Sequence, residues 1–485
     1  MAEQTMSFRL LETLTSALYA EPIILFREYV QNSLDAYNNE VKNDEAKVMD
    51  DFCVNIKIDK DRFNIEIIDN GYGIREEDFL DKMRLIGESD KKSLEDQIGF
   101  RGIGRLSAMP LCRQLVFENK PPGMNKRLIF TWDGETFNDL LNKGADIGAT
   151  LDEITTHSRE DYDGDVDDHY FKVEINGYQE AVKDLLQSAT FEDRLCTLLP
   201  LRYSPKFTKQ NQIKNRYRDF MGHSLDKFSC SVNLDNQELH KPYTDEDILT
   251  SGIVFWDLIY PSTEEDAPAD RIGVLWFTFD RLIRARPKDR PCGILVRSKN
   301  MLMGDQYALA TDAARSKTDY ITTPRELTQA LNGVCGEMLI NYEKLGDNAS
   351  RDWFRIDEKS IKLRYIIVEF MRRLHTYRYA ASNYFSEKKK VDEKLMIEAY
   401  KGLITNYDPD KFIPDIRRLK KEIEASKEVF KFADNDIPTS SITVKRFYDR
   451  LMQYLYEYFA GRDKIEEFIE IRTAIKKYLT QESKS

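Results

Sequence analysis

The first strong pattern is helical. Pro22 is followed by apolar positions Ile23, Ile24, Leu25, Phe26, Tyr29, Val30, Leu34 and Tyr37, which predicts a helix with proline in its first turn. Strict alternation follows. Cys53–Ile58 and Phe63–Ile68 predict strands, and Leu115–Phe117, Leu128–Trp132 and Tyr170–Ile175 predict three more. The run 155–168 is acidic and predicts a solvated loop. From about Leu201 the chain is again mixed, with strands expected at Phe228–Leu234, Ile272–Phe279 and Gly293–Met303. Beyond Ile356 the pattern becomes helical and charged, and Ile361, Leu363, Ile366, Ile367, Phe370 and Leu374 fall roughly on one face. Three domains are expected: 1–200, 201–355 and 356–485.

Charge sharpens the last boundary. The 485 residues carry 72 basic and 84 acidic side chains, a net of -12. Residues 356–485 hold 27 basic and 22 acidic, against 45 and 62 in the remainder. An acidic chain is a poor candidate for a protein that coats DNA. No apolar run reaches the length of a membrane span, and the N-terminus lacks the form of a signal peptide, so a cytoplasmic globular protein is expected. The six cysteines are at least 34 residues apart and no histidine pair has metal spacing, so neither a zinc site nor a redox motif is read here.

Three motifs carry chemistry. In Glu28-Tyr-Val-Gln-Asn32-Ser-Leu-Asp35-Ala36, the residues Glu28, Asn32 and Asp35 are spaced to share one side of the helix. A carboxylate and an amide there can orient a water and hold Mg²⁺ through oxygen. Asp69-Asn-Gly71-Tyr-Gly73-Ile74 follows a strand; its glycines let backbone approach a flat ligand, and Asp69 can accept from an exocyclic amine. Gly99-Phe-Arg101-Gly102-Ile-Gly104-Arg105 runs into a segment read as helical, Leu106–Met109, and offers N–H groups to phosphates. It fits neither the P-loop nor the dinucleotide fingerprint. Each motif alone is equally an ordinary helix face or turn.

In that order, E-x-x-x-N-x-x-D-A, D-x-G-x-G and G-x-x-G-x-G resemble the GHKL ATPase superfamily of gyrases, ninety-kilodalton heat-shock chaperones, sensor histidine kinases and MutL proteins. The lead-in Leu14–Arg27 resembles the chaperone (HtpG-like) branch. Asn348-Ala-Ser-Arg351-Asp352 resembles its middle-domain loop, and Ile294–Asp305 its central middle-domain strand. The resemblance implies an α/β fold: a two-layer α+β Bergerat-type sandwich of a mixed sheet and helices, an α/β middle domain, then a helical C-terminal region for partners or clients. It implies ATP and Mg²⁺ as ligands. Glu28 would be the general base, Asn32 the Mg²⁺ ligand and Asp69 the adenine reader. Asp35, Gly71, Gly73, Lys92, Gly99, Arg101, Gly102 and Gly104 would complete the nucleotide site, with Arg351 reaching the γ-phosphate. Two departures stand out: 168–171 lacks the family's Gly-Thr, and Arg355 replaces a glutamine.

No histidine precedes His157, which disfavours a histidine kinase, and no cleavage domain supports a gyrase. The preferred reading is an ATP-driven clamp of the chaperone type acting on a protein client or operon-encoded partner, with a homodimer allowed. Such ATPases also occur in bacterial immunity operons, which admits a role in antiviral defence. The alternatives are a MutL- or MORC-like DNA clamp, weakly supported by the basic C-terminal region, and a nucleotide-dependent scaffold with negligible turnover.

Overall fold

The computed structural model describes residues 21–84, 104–143, 151–249, 251–260, 270–280, 285–286, 290–315, 324–345, 353–354 and 357–384. The chain divides into two compact units, one of residues 1–210 and 225–243, the other of residues 211–224 and 244–485.

In the first unit, eight strands form one mixed sheet in the order β5-β4-β3-β6-β2-β1-β7-β8. They are β1 (Cys53–Asp59), β2 (Asn64–Asp69), β3 (Gln114–Lys120), β4 (Lys126–Asp133), β5 (Thr155–Asp161), β6 (Tyr170–Asn176), β7 (Ser231–Leu234) and β8 (Gln237–Leu239). All neighbours are antiparallel except β1 and β7. Period-two burial makes the layer. Ile65 and Ile67 of β2, Leu115 and Phe117 of β3, and Val173 and Ile175 of β6 enter one core with Phe26, Val30 and Leu34. The last three lie on helix α1 (Ile24–Asn43), so the opening apolar pattern buries a helix face against a sheet.

Two expectations change here. The acidic run read as a loop begins with strand β5. Its acids lie opposite bases in the β4 register, Lys126 facing Asp161 and Arg127 facing Glu160, and both pairs form ion pairs at 2.6 and 2.8 Å. The acids satisfy an edge strand rather than solvate a loop. Leu106–Met109 is not an α-helix either: two short 3₁₀ turns, Gly104–Leu106 and Met109–Leu111, occupy this stretch, with Pro110 in the second.

The second unit holds a five-stranded sheet in the order β12-β11-β13-β10-β9. These are β9 (Val254–Tyr260), β10 (Asp270–Phe279), β11 (Gly293–Ser298), β12 (Met301–Met303) and β13 (Val334–Ile340). The expected strand 293–303 is a hairpin, turned at Lys299 and Asn300 with φ 47° and 61°. β11 lies beside the edge strand β12, and β13 occupies the centre. The amphipathic face read beyond Ile356 belongs to a helix, Glu358–Tyr384, whose Ile361, Ile366, Ile367, Phe370 and Leu374 are buried in this unit's core. The helix thus packs with the sheet that the sequence reading assigned to a separate domain. Likewise the strand expected at Phe228–Leu234 extends the first unit's sheet through β1. Residues 385–485 lie outside the described residues.

Candidate nucleotide site

Helix α1 brings the first two motifs together. Period-two alternation along β2 puts Asp69 on the same face as Ile65 and Ile67, so a carboxylate enters the core at the strand end. Its Oδ2 accepts a hydrogen bond from Ser33 Oγ at 2.5 Å, and its Oδ1 accepts from the Gly71 amide at 2.9 Å. Burial pushes its pKa up to about 6, against the opposing pull of these donors. Asp69 is therefore ionised at neutral pH, and as an ionised carboxylate it only accepts hydrogen bonds.

The same helix meets the third motif one turn earlier. Glu28 is buried; its Oε1 accepts from Arg27 Nε at 3.3 Å and Nη2 at 3.2 Å. Its Oε2 lies where a side chain on Gly104 would have to go, since a Cβ there would sit 2.3 Å away. Only glycine lets that backbone reach the carboxylate. Tyr29 pins the contact by donating from its hydroxyl to the Arg105 carbonyl at 2.9 Å.

Asp35 is also buried, whereas Asn32, between it and Glu28, is exposed. The polar side of the helix is thus split, with Asn32 open to solvent. An exposed amide oxygen suits Mg²⁺, which keeps several waters and takes its remaining ligands from phosphates. Gly73 turns with φ 64°, and Asn119 holds that turn by accepting from the Ile74 amide and donating to its carbonyl, both at 2.7 Å. Lys92, Gly99, Arg101, Gly102 and Arg351 lie outside the described residues, as does Arg355.

Three neighbours were not singled out by the motifs. Ser33 sits inside the first motif at an unassigned position. Asn119 ends β3. His169 occupies the place of the missing Gly-Thr: the β2–β6 register pairs Asp69 with Phe171, and continuing it sets His169 opposite Gly71. Its Nδ1 lies 3.1 Å from the Gly71 carbonyl, and its ring stacks on Tyr72 at 4.7 Å between centroids. A carbonyl can only accept, so that nitrogen carries the proton. The register would have found His169 once β2 and β6 were known to be neighbours.

Residues 24–157 match the family described as histidine kinase-, DNA gyrase B-, and HSP90-like ATPase. Chaperone protein HtpG of Natranaerobius thermophilus is 25% identical over 213 residues, covering 38% of this chain and 33% of that protein. HtpG of Sulfurovum sp. is 30% identical over 147 residues, covering 27% and 24%. HtpG of Francisella tularensis subsp. tularensis is 24% identical over 203 residues, covering 38% and 32%. The matches thus span a third or less of these relatives' length. Among the described residues no helix is long and apolar enough to cross a membrane. Residues 24–157 therefore resemble the histidine kinase-, DNA gyrase B-, and HSP90-like ATPases, the GHKL superfamily, and the chain resembles the HtpG branch of it.

Proposed function

We propose that this chain is an ATP-hydrolysing conformational clamp of the chaperone type, working in the cytoplasm on a protein client or partner. One observation carries the reading. A single helix holds Glu28 against Gly104 and Ser33 against Asp69, uniting three motifs separated in sequence. In this reading Asp69 accepts from the adenine amine, with Gly71 and Gly73 shaping the turn beside the base. Asn32 is the protein ligand to Mg²⁺, which neutralises phosphate charge when bound. Glu28 accepts a proton from water as its oxygen attacks the γ-phosphorus; the bond to the β-phosphate oxygen breaks, leaving ADP and phosphate. Gly99, Arg101, Gly102, Gly104 and Lys92 contact the phosphates or the segment over them, and Arg351 stabilises the transferred phosphoryl from the second unit.

The experiment pairs binding with turnover. Glu28→Ala should retain ATP affinity and lose about 10²–10⁴-fold in hydrolysis, the scale of a positioned base. Asn32→Ala should instead weaken the Mg²⁺-dependent part of binding. Wild-type hydrolysis by the Glu28 variant would place the base elsewhere. Absence of ATP binding by the wild-type chain would end the reading.

A further inference from the structure

The site contains a cation that the reaction scheme above does not use. Arg105 follows Gly104 in the 3₁₀ turn that abuts Glu28, and its carbonyl is tied to Tyr29 on α1. Its side chain runs to helix α2 (Glu76–Arg84), where Nη1 donates to the Lys82 carbonyl. That bond uses one nitrogen. Nε and Nη2 are shut off from solvent and have no hydrogen-bond partner among the described residues. Nor does an acidic side chain pair with the group there. Desolvation alone lowers its pKa to about 10, so it remains charged at working pH with nothing to offset the burial.

A guanidinium has five donors in a fixed fork, and leaving them unmade in a dry place is costly. Capping a helix C-terminus explains Nη1 and leaves two nitrogens unexplained. An arginine kept only for that cap would gain by keeping its other donors in water. The fork matches two oxygens of a phosphate, and the turn carrying it already touches the carboxylate assigned to chemistry.

We propose that Arg105 is a phosphate-binding residue, supplying Nε and Nη2 to the polyphosphate of the bound nucleotide. This rests on the ATP reading. It assigns the role to the position after the last glycine of the third motif. The free protein then stores a strained, uncompensated charge that the ligand relieves, so Arg105 weakens the empty fold and strengthens the occupied one.

The test uses the full chain and three probes, ATP, adenosine and inorganic tripolyphosphate, with calorimetry and thermal denaturation. Arg105→Met preserves length and removes charge. It should leave the empty protein as stable as wild type or more so. It should weaken ATP and tripolyphosphate about 10-fold or more, the worth of a charged hydrogen bond, and leave adenosine within about twofold. A cap-only role predicts the reverse: a lower melting temperature with unchanged affinity per folded molecule, and that result overturns the proposal. Wild-type protein gives an arm that needs no variant. Saturating tripolyphosphate should raise its melting temperature, and no rise would also overturn the proposal. Asp69→Asn separates this from the parent reading. If that variant keeps its ATP affinity, the adenine assignment fails, while the tripolyphosphate comparison still decides Arg105.

Discussion

At the residue scale the decisive group is Asp69, because its environment sets opposite pH responses for folding and for binding. Its pKa is raised to about 6 from an ordinary 3.8. The folded chain therefore holds this proton more tightly than the unfolded chain. Its contribution to stability is present below about pH 4 and is lost as pH rises through about 6. If Asp69 accepts from the adenine amine as proposed, recognition needs its ionised form, so ATP affinity should fall on acidification, by about tenfold between pH 7.5 and pH 5. The groups facing the carboxylate are Ser33 from α1, the Gly71 and Phe171 amides and His169; burial raises the thiol pKa of Cys53 on β1 and of Cys230, and the Asp69 charge adds a smaller push in the same direction. Asp69→Asn should lose about 10- to 150-fold in ATP affinity at pH 7.5 and flatten the pH profile. Calorimetry at the two pH values checks both, and a variant with the wild-type slope would assign the titration to another group.

At the element scale, α1 acts as a ruler. Glu28 and Ser33 are five positions apart, and each meets a different motif. The tolerance is small at Gly104, where an added Cβ would lie 2.3 Å from Glu28 Oε2. Gly104→Ala must displace the carboxylate, the turn, or both. Hydrolysis should drop by at least ~10-fold, since small misplacement of a catalytic group costs that much or more. At Gly73 the cost is conformational instead: φ is 64° and a Cβ would lie 2.5 Å from Asn119 Oδ1. Gly73→Ala should cost about 1–2 kcal/mol in denaturant unfolding, plus whatever the displaced Asn119 loses. A Gly73 variant of wild-type stability would mean that the turn has an alternative, unstrained path.

At the scale of the whole molecule, the first unit's sheet crosses the boundary expected at residue 200. β7 pairs with β1 through Cys53–Ile56, so cutting at residue 200 exposes that edge. A fragment of residues 1–243 should be monodisperse and bind ATP, whereas 1–200 should melt lower or aggregate; light scattering and calorimetry distinguish them. In the longer fragment, residues 211–224 lose their own unit, including the Arg216–Asp257 ion pair, and should exchange their amides freely. If Arg351 acts on the phosphate, the 1–243 fragment should bind ATP yet turn it over at least ~10-fold more slowly than the full chain. Arg351→Ala in the full chain should behave alike. Full activity from the fragment would remove the second unit from the mechanism.

Among the candidate residues, strand alternation puts Asp69 on the inward face, whereas helical spacing set Glu28, Asn32 and Asp35 on one side and the structure divides them, with Glu28 and Asp35 buried and Asn32 exposed. The five strands expected in the first unit from alternation were found, each within one to three residues of its run at either end. What the sequence could not supply was adjacency. β5 looked like a solvated acidic loop until β4 placed Lys126 and Arg127 opposite its acids. Ser33, Asn119 and His169 became neighbours of the candidate residues only because folding set them against Asp69, the Gly73 turn and Gly71. That Nε and Nη2 of Arg105 have no hydrogen-bond partner among the described residues is likewise invisible in its type or sequence neighbours, since it depends on contacts made by folding. Sequence by itself determined the periodicities and the residue chemistry, which are properties of a few consecutive residues. Tertiary structure decided register, partners and burial, because these depend on contacts between segments far apart in the chain.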